Sequence, residues 1–408
     1  MQILIVLEAF GMGLVILPGR AAEYAAQDAW LVSAVFAVMA CVAALLLTAV
    51  GRRFPNDRFL CFTGRVLSKP VAYLLAVGLA VKLILGAAMS LRLFALAAKS
   101  FLLNHTPTAA VCALMVGIAA YAAAKGIEAR ARIGEILFFV IIPPMLILFL
   151  LAFFNIDCTN LMPVRAASPG ILVRGAFWLG PLFIGLESLL LVFPYVNCPN
   201  PGRRTRPSGT PPIDAAEEPQ NSHAHEGKSI FPLTKDEGLR VKPAMTKEKA
   251  AARKIIAAVA FAGILIVLIT ALCVAKFGYI GLVTTQWPLL RMMDMIALPG
   301  ALIERQGALV LSFWIVTVFL SVNSALFFGA ELAKDITHRG QARTHVMLCG
   351  VTVFLLACLP LEAETILRWM DGLYVTFGIF YWFIFPVVFL TAARLRGFKP
   401  PEKQEAEA

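Results

Sequence analysis

The chain has 408 residues, of which 60% are hydrophobic and only 15% are charged, and its mean hydropathy is +0.80. Soluble domains carry roughly a quarter charged residues, so this composition excludes an ordinary set of soluble domains. The apolar residues are grouped into ten stretches, each long enough to cross a hydrocarbon core of ~30 Å as a helix. A transmembrane β-barrel would instead show alternating segments of about ten residues. The sequence therefore predicts an all-α membrane protein with about ten transmembrane helices.

The predicted spans, numbered 1 to 10 in chain order, cover residues 2–18, 28–50, 70–98, 107–124, 133–155, 171–195, 255–275, 306–329, 345–360 and 367–393. Span 1 is barely long enough, and Glu8 together with the lack of a basic start argues against a signal peptide. Most of the 36 Lys and Arg residues fall on one side of these spans, among them Arg130 in the loop between spans 4 and 5. Because a positive bias marks the cytoplasmic side, both termini are predicted to be cytoplasmic.

One long segment interrupts the apolar pattern. Residues 197–254 are rich in proline and mixed charges and contain few aliphatic residues, a composition that cannot offset the chain entropy lost on folding. The predicted organisation is a first five-helix repeat plus span 6 (1–196), a disordered basic cytoplasmic loop (197–254), spans 7 to 10 (255–396) and a cytoplasmic tail (397–408). His223 and His225 in the loop lack further ligands nearby, so a metal site there is disfavoured.

Several classes of function are disfavoured by what the sequence contains. The net charge of +11 follows from the positive bias and from contact with anionic lipid, so it does not predict nucleic-acid binding. The eight cysteines form no CxxC pair, and only Cys158 is placed on the non-cytoplasmic side, so no disulfide framework is expected. The sequence has no phosphate-binding loop, zinc-protease motif or nucleophile elbow. We therefore expect no enzymatic activity, no cofactor and no metal.

Glycine and proline interrupt two spans at membrane depth. Span 1 contains Gly11-Met12-Gly13-Leu14 ahead of Pro18, and span 6 contains Gly180-Pro181 followed by residues 183–187. Unwound backbone is tolerated in a bilayer only where it lines a protein cavity or a water path. Spans 1 and 6 begin the two five-span halves, and matched interruptions of this kind indicate an inverted-repeat carrier with a site at the midplane. Both spans are therefore predicted to be broken.

The predicted ligand-binding residues are those of the two interruptions: Gly11, Met12, Gly13, Leu14, Phe183, Gly185, Leu186 and Glu187. Free backbone amides at the start of a half-helix would attract a carboxylate, and free carbonyls would attract a cation. The alternative is that these glycines and prolines serve only helix packing and kinks.

Ionisable and small polar side chains inside the spans suggest a charge or ion pathway through Glu8, Lys82, Ser321 and Ser324. A charge at this depth is costly and usually faces a cavity or a partner. Lys82 is therefore predicted to pair with Glu187 or Glu8 across the pocket, the alternative being separate structural pairs. Ser321 and Ser324 could bind a sodium ion against carbonyls of span 1, although such residues more often hold helices together.

The interruptions also resemble known motifs. Gly11-x-Gly13-x-x-x-Leu17-Pro18 and Phe183-x-Gly185-Leu186-Glu187 are similar to the broken-helix motifs of the amino acid–polyamine–organocation (APC) superfamily. The whole chain resembles the B subunit of the endospore germinant receptors, the GerAB family, through further pieces that occur in family order: Gln27-Asp28-Ala29-Trp30, Phe54-Pro55, Thr106-Pro107, Tyr121, Gly126-Ile127-Glu128-Ala129-Arg130, Asn160-Leu161-x-Pro163 and Pro194. The length of the proline-rich loop departs from the family pattern. A second departure is that the cytoplasmic leader usual before span 1 in the family is not found in this sequence.

This resemblance implies a LeuT-like 5+5 inverted repeat with broken helices 1 and 6, in which spans 1, 3, 6 and 8 surround a small-molecule pocket. It also implies the sensing of germinants, often amino acids, in the inner membrane of the spore, beside a larger A subunit and a lipoprotein C subunit. Some superfamily members use a lysine of span 5 in place of sodium, and residues 133–155 contain no lysine.

Three functions remain open at this point. The first is a germinant-receptor subunit that binds a small germinant, an amino acid, and helps to trigger spore germination by a population shift. The second is an autonomous secondary amino acid transporter coupled to Na⁺ or H⁺. The third is an assembly subunit without a ligand.

Overall fold

The computed structural model describes residues 2–102, 105–153, 158–162, 164, 166–183, 185–196, 244–295 and 306–398. Within these residues the regular structure is entirely helical, which confirms the predicted fold class. The α-helices are α1 (Gln2–Ala25), α2 (Ala29–Arg53), α3 (Phe59–Val66), α4 (Lys69–Phe101), α5 (Thr108–Ala124), α6 (Ile127–Phe153), α7 (Pro169–Trp178), α8 (Leu189–Val196), α9 (Ala244–Thr284), α10 (Pro288–Asp294), α11 (Gln306–Thr337), α12 (Ala342–Ala357), α13 (Ala363–Leu373) and α14 (Phe385–Leu395).

Each of the ten predicted spans corresponds to one of these helices, with two exceptions. Span 6 is the bent pair α7 and α8, and span 10 runs from α13 through two π-helical turns, Tyr374–Gly378 and Phe380–Ile384, to α14. By length and composition, six helical segments of the described chain can cross a membrane, or seven if the bent pair α7 and α8 is one span. The difference from ten arises because α5 and α12 are apolar but shorter, and because only a 3-10 turn, Ala26–Asp28, separates α1 from α2. The short helices α3 and α10 were not predicted.

Helix α1 lies at the centre of the packing, in contact with α2, α9 and α11, while α4 packs on α11. Lipid tails are as apolar as leucine, so close packing and interhelical hydrogen bonds hold such helices together. The contact of α2 with α9 has both features. Gly263 lies so near Ala37 that a Cβ on the glycine would be 2.7 Å from that alanine's Cβ, and Ser33 donates a hydrogen bond to Thr270 at 3.1 Å.

The predicted interruption of span 1 is wrong. Helix α1 runs continuously from Gln2 to Ala25 and includes Pro18. A glycine costs a helix only about 1 kcal/mol relative to alanine, whereas each backbone group left unpaired in hydrocarbon costs several kcal/mol. Gly13 lies beside the bend of span 6: a Cβ at this position would be 3.7 Å from the carbonyl oxygen of Leu182, an ordinary contact distance that an alanine could also adopt.

The predicted interruption of span 6 is confirmed. After α7 the chain makes two 3-10 turns, Gly180–Leu182 and Leu186–Ser188, before α8 begins, and the two arms of the span meet at a bend of 68°. Gly185 has a φ of +102°, a conformation that glycine adopts without the steric cost of a Cβ.

The region of the predicted disordered loop is only partly described. Residues 197–243 and the tail residues 399–408 lie outside the described residues. Helix α9, however, begins at Ala244, so residues 244–254 are helical where a loop was predicted. This stretch is rich in Ala and Lys, which favour helices. Its charged residues lower its hydropathy, so a hydropathy criterion does not include it in a span.

The packing of α2 on α8 generates a test of the fold. A Cβ at Gly51 would come within 2.0 Å of the buried ring of Phe193, so Gly51→Ala should destabilise the protein by about 1–3 kcal/mol, the usual cost of overpacking. In α5, nothing lies within 4 Å of a Cβ added at Gly117, so Gly117→Ala should be neutral or slightly stabilising. Melting temperatures in detergent would compare the variants, and a Gly51→Ala protein as stable as Gly117→Ala would contradict this packing.

Candidate functional site

The bend in span 6 borders a small cavity of about 20 Å³. Its wall is formed by the bend, by α4, by the end of α13 and by the start of the π-helical turn that follows it. The lining residues are Lys82, Gly86, Gly180, Pro181, Phe183, Glu187, Met370, Leu373 and Tyr374. A void of this size holds about one water molecule. The cavity is therefore too small for an amino acid, and a ligand of that size requires the surrounding helices to move apart.

A buried ion pair forms part of the cavity wall. Nζ of Lys82 donates to Oε1 of Glu187, and the two side chains are 8% and 0% exposed. The indole Nε1 of Trp382 donates to the other carboxylate oxygen, Oε2 of Glu187, at 3.1 Å. The predicted pairing of Lys82 with Glu187 is thus confirmed. Each charge has a partner of opposite sign, as burial in a medium of low dielectric constant requires.

A second buried ion pair corrects the prediction for Arg130. This residue was predicted to lie in a cytoplasmic loop, but its side chain is only 3% exposed and lies in the first turns of α6. It donates to Oε1 of Glu8 in α1 and to Oγ of Ser324 in α11. Its guanidinium also lies 5.0 Å from the ring centroid of Phe328. Glu8 therefore pairs with Arg130 and not with Lys82.

Hydropathy placed the start of span 5 at residue 133 and so left Arg130 outside the membrane. The helix actually begins at Ile127. The signal that could have found this arginine was its place in the motif Gly126-Ile127-Glu128-Ala129-Arg130.

The two ion pairs lie close together at Gly185. A Cβ on this glycine would be 3.1 Å from Oε2 of Glu8, so Gly185 provides both the left-handed φ of the bend and the space for the Glu8 carboxylate. Glu187 follows Gly185 by two positions. The Glu8 carboxylate of α1 therefore lies against the bend that carries Glu187. Together the two pairs connect α1, α4, α6 and α11 with the bend of span 6.

The remaining residues of the two interruptions are placed as follows. Phe183 is buried, with its ring centroid 5.6 Å from Phe36 and 6.3 Å from Trp382 in edge-to-face contacts. Leu186 is buried in the core. Gly11, Met12 and Leu14 belong to the continuous helix α1, and their surroundings lie outside what the structure describes.

Span 8 does not present the arrangement predicted for sodium. Ser324 accepts a hydrogen bond from Arg130, and a guanidinium repels a second cation. Asn323 donates to the carbonyl oxygen of Ala119 in α5 at 2.9 Å, the interhelical role that was the alternative. Ser321 is buried. Among the described residues, no group of three or more His, Cys, Asp or Glu side chains could hold a metal ion.

Ion pairs also join the helices at the two ends of the bundle. At one end, Nη2 of Arg20 in α1 lies 2.7 Å from Oδ2 of Asp371 in α13. At the other end, Arg58 pairs with Asp335 and lies 3.6 Å from Glu331 of α11. Burial lowers the pKa of Arg58, but the two carboxylates outweigh this effect and raise its pKa above the ordinary value.

The Lys82–Glu187 pair can be tested by exchanging the charges. Lys82→Glu or Glu187→Lys alone places like charges together in the core and should cost ~3–5 kcal/mol or more, whereas the double variant restores an opposite pair and should recover part of that loss. The control is the same exchange at Arg368 and Glu364, which are 70% and 76% exposed and should change stability little. Melting temperatures measure all the variants, and a double variant no more stable than the sum of its single changes would contradict the pairing.

Solved structures with a similar fold are transporters. One is Mhp1, a nucleobase–cation symport-1 family transporter in a closed conformation with bromovinylhydantoin bound, with a TM-score of 0.57 and 12% identity over 95% of this chain and 78% of that chain. Another is a Na⁺-coupled sialic acid symporter in a substrate-bound outward-open state, with a TM-score of 0.55 and 12% identity over 94% of this chain and 79% of that chain. Both have the LeuT fold, and the chain shares that fold.

Sequence comparison identifies the family. The spore germination protein YndE of Bacillus subtilis (strain 168) is 20% identical over 359 residues, which cover 88% of this chain and 85% of YndE. The family described as "Spore germination protein" matches residues 1–209 and 239–366, well over half of the chain. With its apolar helices, its LeuT fold and this match, the chain belongs to the membrane-embedded spore germination protein family.

Proposed function

We propose that this chain is the integral membrane subunit of a spore germinant receptor, which binds an amino acid at the bend of span 6 and so helps to trigger germination. The observation that carries the proposal is the buried pair of Lys82 and Glu187 in the cavity wall. Ionisable groups inside a membrane domain are costly, and they are retained mainly where they serve a substrate or ion.

The two charges of this pair match the two charges of an amino acid. When the site opens, the ligand's carboxylate can replace Glu187 beside Lys82, and its ammonium group can replace Lys82 beside Glu187. Every buried charge then keeps a partner, whereas a ligand with one charge or none would leave one side chain uncompensated at a cost of several kcal/mol. The exchange selects zwitterions over amines, simple acids and neutral molecules.

Ligand binding in this scheme favours an open arrangement of span 6 over the closed one. A ligand shifts a conformational equilibrium only by its difference in affinity for the two states. The carboxylate of Glu8 lies against Gly185, and Arg130 links Glu8 to α6 and α11. Movement of the bend would therefore act on α1, α6 and α11. These contacts provide a route from the ligand to the surface of the subunit.

The proposed setting follows from the family. The subunit would act beside a larger A subunit and a lipoprotein C subunit in the inner membrane of the spore, with both termini in the cytoplasm. The cationic residues concentrated on one side of the spans support this orientation, and the spore germination relatives support the compartment.

The second candidate is an autonomous amino acid transporter coupled to Na⁺ or H⁺. The observation in its favour is the fold shared with two transporters, one of them a Na⁺-coupled symporter. Against sodium coupling through span 8 stands Arg130, whose guanidinium already occupies the junction of α1, α6 and α11. The receptor therefore remains the better supported of the two.

Binding can be tested on the purified full-length chain in detergent. Thermal-shift measurements with the twenty common amino acids should find at least one that raises the melting temperature, because a ligand specific for the folded state stabilises it. Lys82→Gln and Glu187→Gln should each weaken that ligand roughly 10- to 100-fold, the loss expected for a charged hydrogen bond. Arg368→Gln should bind normally, and a panel without any stabilising amino acid would reject the proposed ligand class.

Transport can be tested with the same protein in liposomes. For a receptor, radiolabelled ligand should not accumulate inside vesicles under an inward sodium gradient or an inward proton gradient. Vesicles that hold the Lys82→Gln variant provide the background. Accumulation above that background, abolished when the gradient is collapsed, would show the chain to be a transporter.

A further inference from the structure

The side chain of Tyr374 carries a buried hydroxyl group for which the described fold supplies no hydrogen bond. The residue is 3% exposed, and within the described part of the chain its oxygen has no hydrogen-bond partner. Buried polar groups are almost always paired, and leaving one unpaired destabilises the fold. An unpaired hydroxyl on a residue that lines a cavity therefore points to a ligand rather than to the fold.

The surrounding backbone is shaped to hold this ring. Tyr374 begins a π-helical turn that extends to Gly378, and such turns occur frequently at functional sites. Two glycines make room for the ring: a Cβ at Gly180 would lie 2.1 Å from it, and a Cβ at Gly378 would lie 2.3 Å from it. Phe177 and Trp382 contact it edge-on, at centroid distances of 5.7 Å and 5.4 Å.

The ring that carries this hydroxyl borders the same cavity as the buried ion pair. Tyr374, Lys82 and Glu187 all line the space of about 20 Å³ beside the bend. A lysine ammonium donates three hydrogen bonds and accepts none, and a phenol can donate one. The residues that line the cavity thus carry two donors suited to an oxyanion, one of them charged, and a single carboxylate suited to a cation.

We infer that Tyr374 and Lys82 together form the carboxylate-binding end of the site, and that Glu187 binds the ammonium group of the same ligand. The inference rests on the proposed function and deepens it. The ligand must carry a free carboxylate, because its oxygens accept hydrogen bonds from both donors, and Tyr374 supplies the neutral one. Replacing that carboxylate by an amide removes the charge that Lys82 requires and much of the strength of the bond from Tyr374.

Tyr381 provides a matched control in the same span. It is buried like Tyr374, but its hydroxyl donates to the carbonyl oxygen of Leu75 at 2.6 Å, and it does not line the cavity. The two tyrosines therefore differ in the use of one oxygen atom. Loss of the Tyr381 hydroxyl should affect the fold, and loss of the Tyr374 hydroxyl should affect only the ligand.

The experiment compares Tyr374→Phe with Tyr381→Phe in the full-length chain. The probes are the twenty common amino acids and the α-amide of each, with affinities measured by calorimetry for those that stabilise the wild type. Tyr374→Phe should keep or raise the melting temperature without ligand, weaken the free acid roughly 10-fold or more, and reduce the preference for acid over amide. Tyr381→Phe should lower the melting temperature without ligand and leave both affinities within about 2-fold.

Each outcome decides between specific claims. If the wild type binds an amino acid and Tyr374→Phe binds it equally well, this inference is overturned and the proposed function stands. If the wild type binds an amino acid and its amide equally well, the inference of a carboxylate-binding end is overturned, whether or not Tyr374→Phe folds. If no amino acid binds the wild type, the proposed function fails and this inference fails with it.

Discussion

The structure depends on a single constraint: a charge buried in a medium of low dielectric constant must keep a partner of opposite sign. Four charged side chains obey it inside the bundle, Glu8 with Arg130 and Lys82 with Glu187. Because Glu187 belongs to the bend of span 6, movement of the bend away from α4 would separate the pair and leave Lys82 without its partner. The zwitterionic ligand proposed above would supply a carboxylate in place of Glu187, which a neutral molecule would not. In that proposal, the pair that stabilises the present arrangement also favours opening by a ligand of matching charge.

The second pair, Glu8 with Arg130, would transmit movement of the bend to other helices. Glu8 lies against Gly185 from the side of α1, and Arg130 ties it to α6 and α11. Since α1 is unbroken, a displacement at Gly185 acts on a rigid rod that also contacts α2 and α9. A break in α1 would have absorbed the displacement locally. The continuous helix is therefore more than a departure from the expected pattern, because it can transmit movement from the bend to the far side of the bundle.

The sequence was informative where a physical rule is local. Continuous apolar stretches located the helices, and Gly180-Pro181 and Gly185 located the bend. The cost of an isolated charge limited the partner of Lys82 to Glu187 or Glu8, and the structure shows Glu187. It failed where the outcome depended on distant contacts. The glycines of span 1 permit a break but do not impose one, and a break would leave backbone groups unpaired in hydrocarbon. Arg130 is buried because Glu8, which lies 122 residues earlier, balances its charge. A hydropathy profile does not detect such a pairing. Tyr374 lies in an ordinary apolar run, and its significance comes from a π-helical turn and from a glycine in another span.

A receptor and a transporter with this site differ in which ends of the bundle must open. A transporter releases its ligand on the opposite side, so the Arg20–Asp371 pair at one end and the Arg58 cluster with Asp335 and Glu331 at the other must separate in turn. A receptor needs only the end that faces the incoming ligand. Asp371 lies on α13, just before the cavity residues Leu373 and Tyr374, so ligand entry and separation of the Arg20 pair involve the same helix. The Arg58 cluster has two carboxylates for one cation and joins the loop after α2 to the end of α11, away from the cavity. A receptor would leave this cluster intact, whereas a transporter would have to open it.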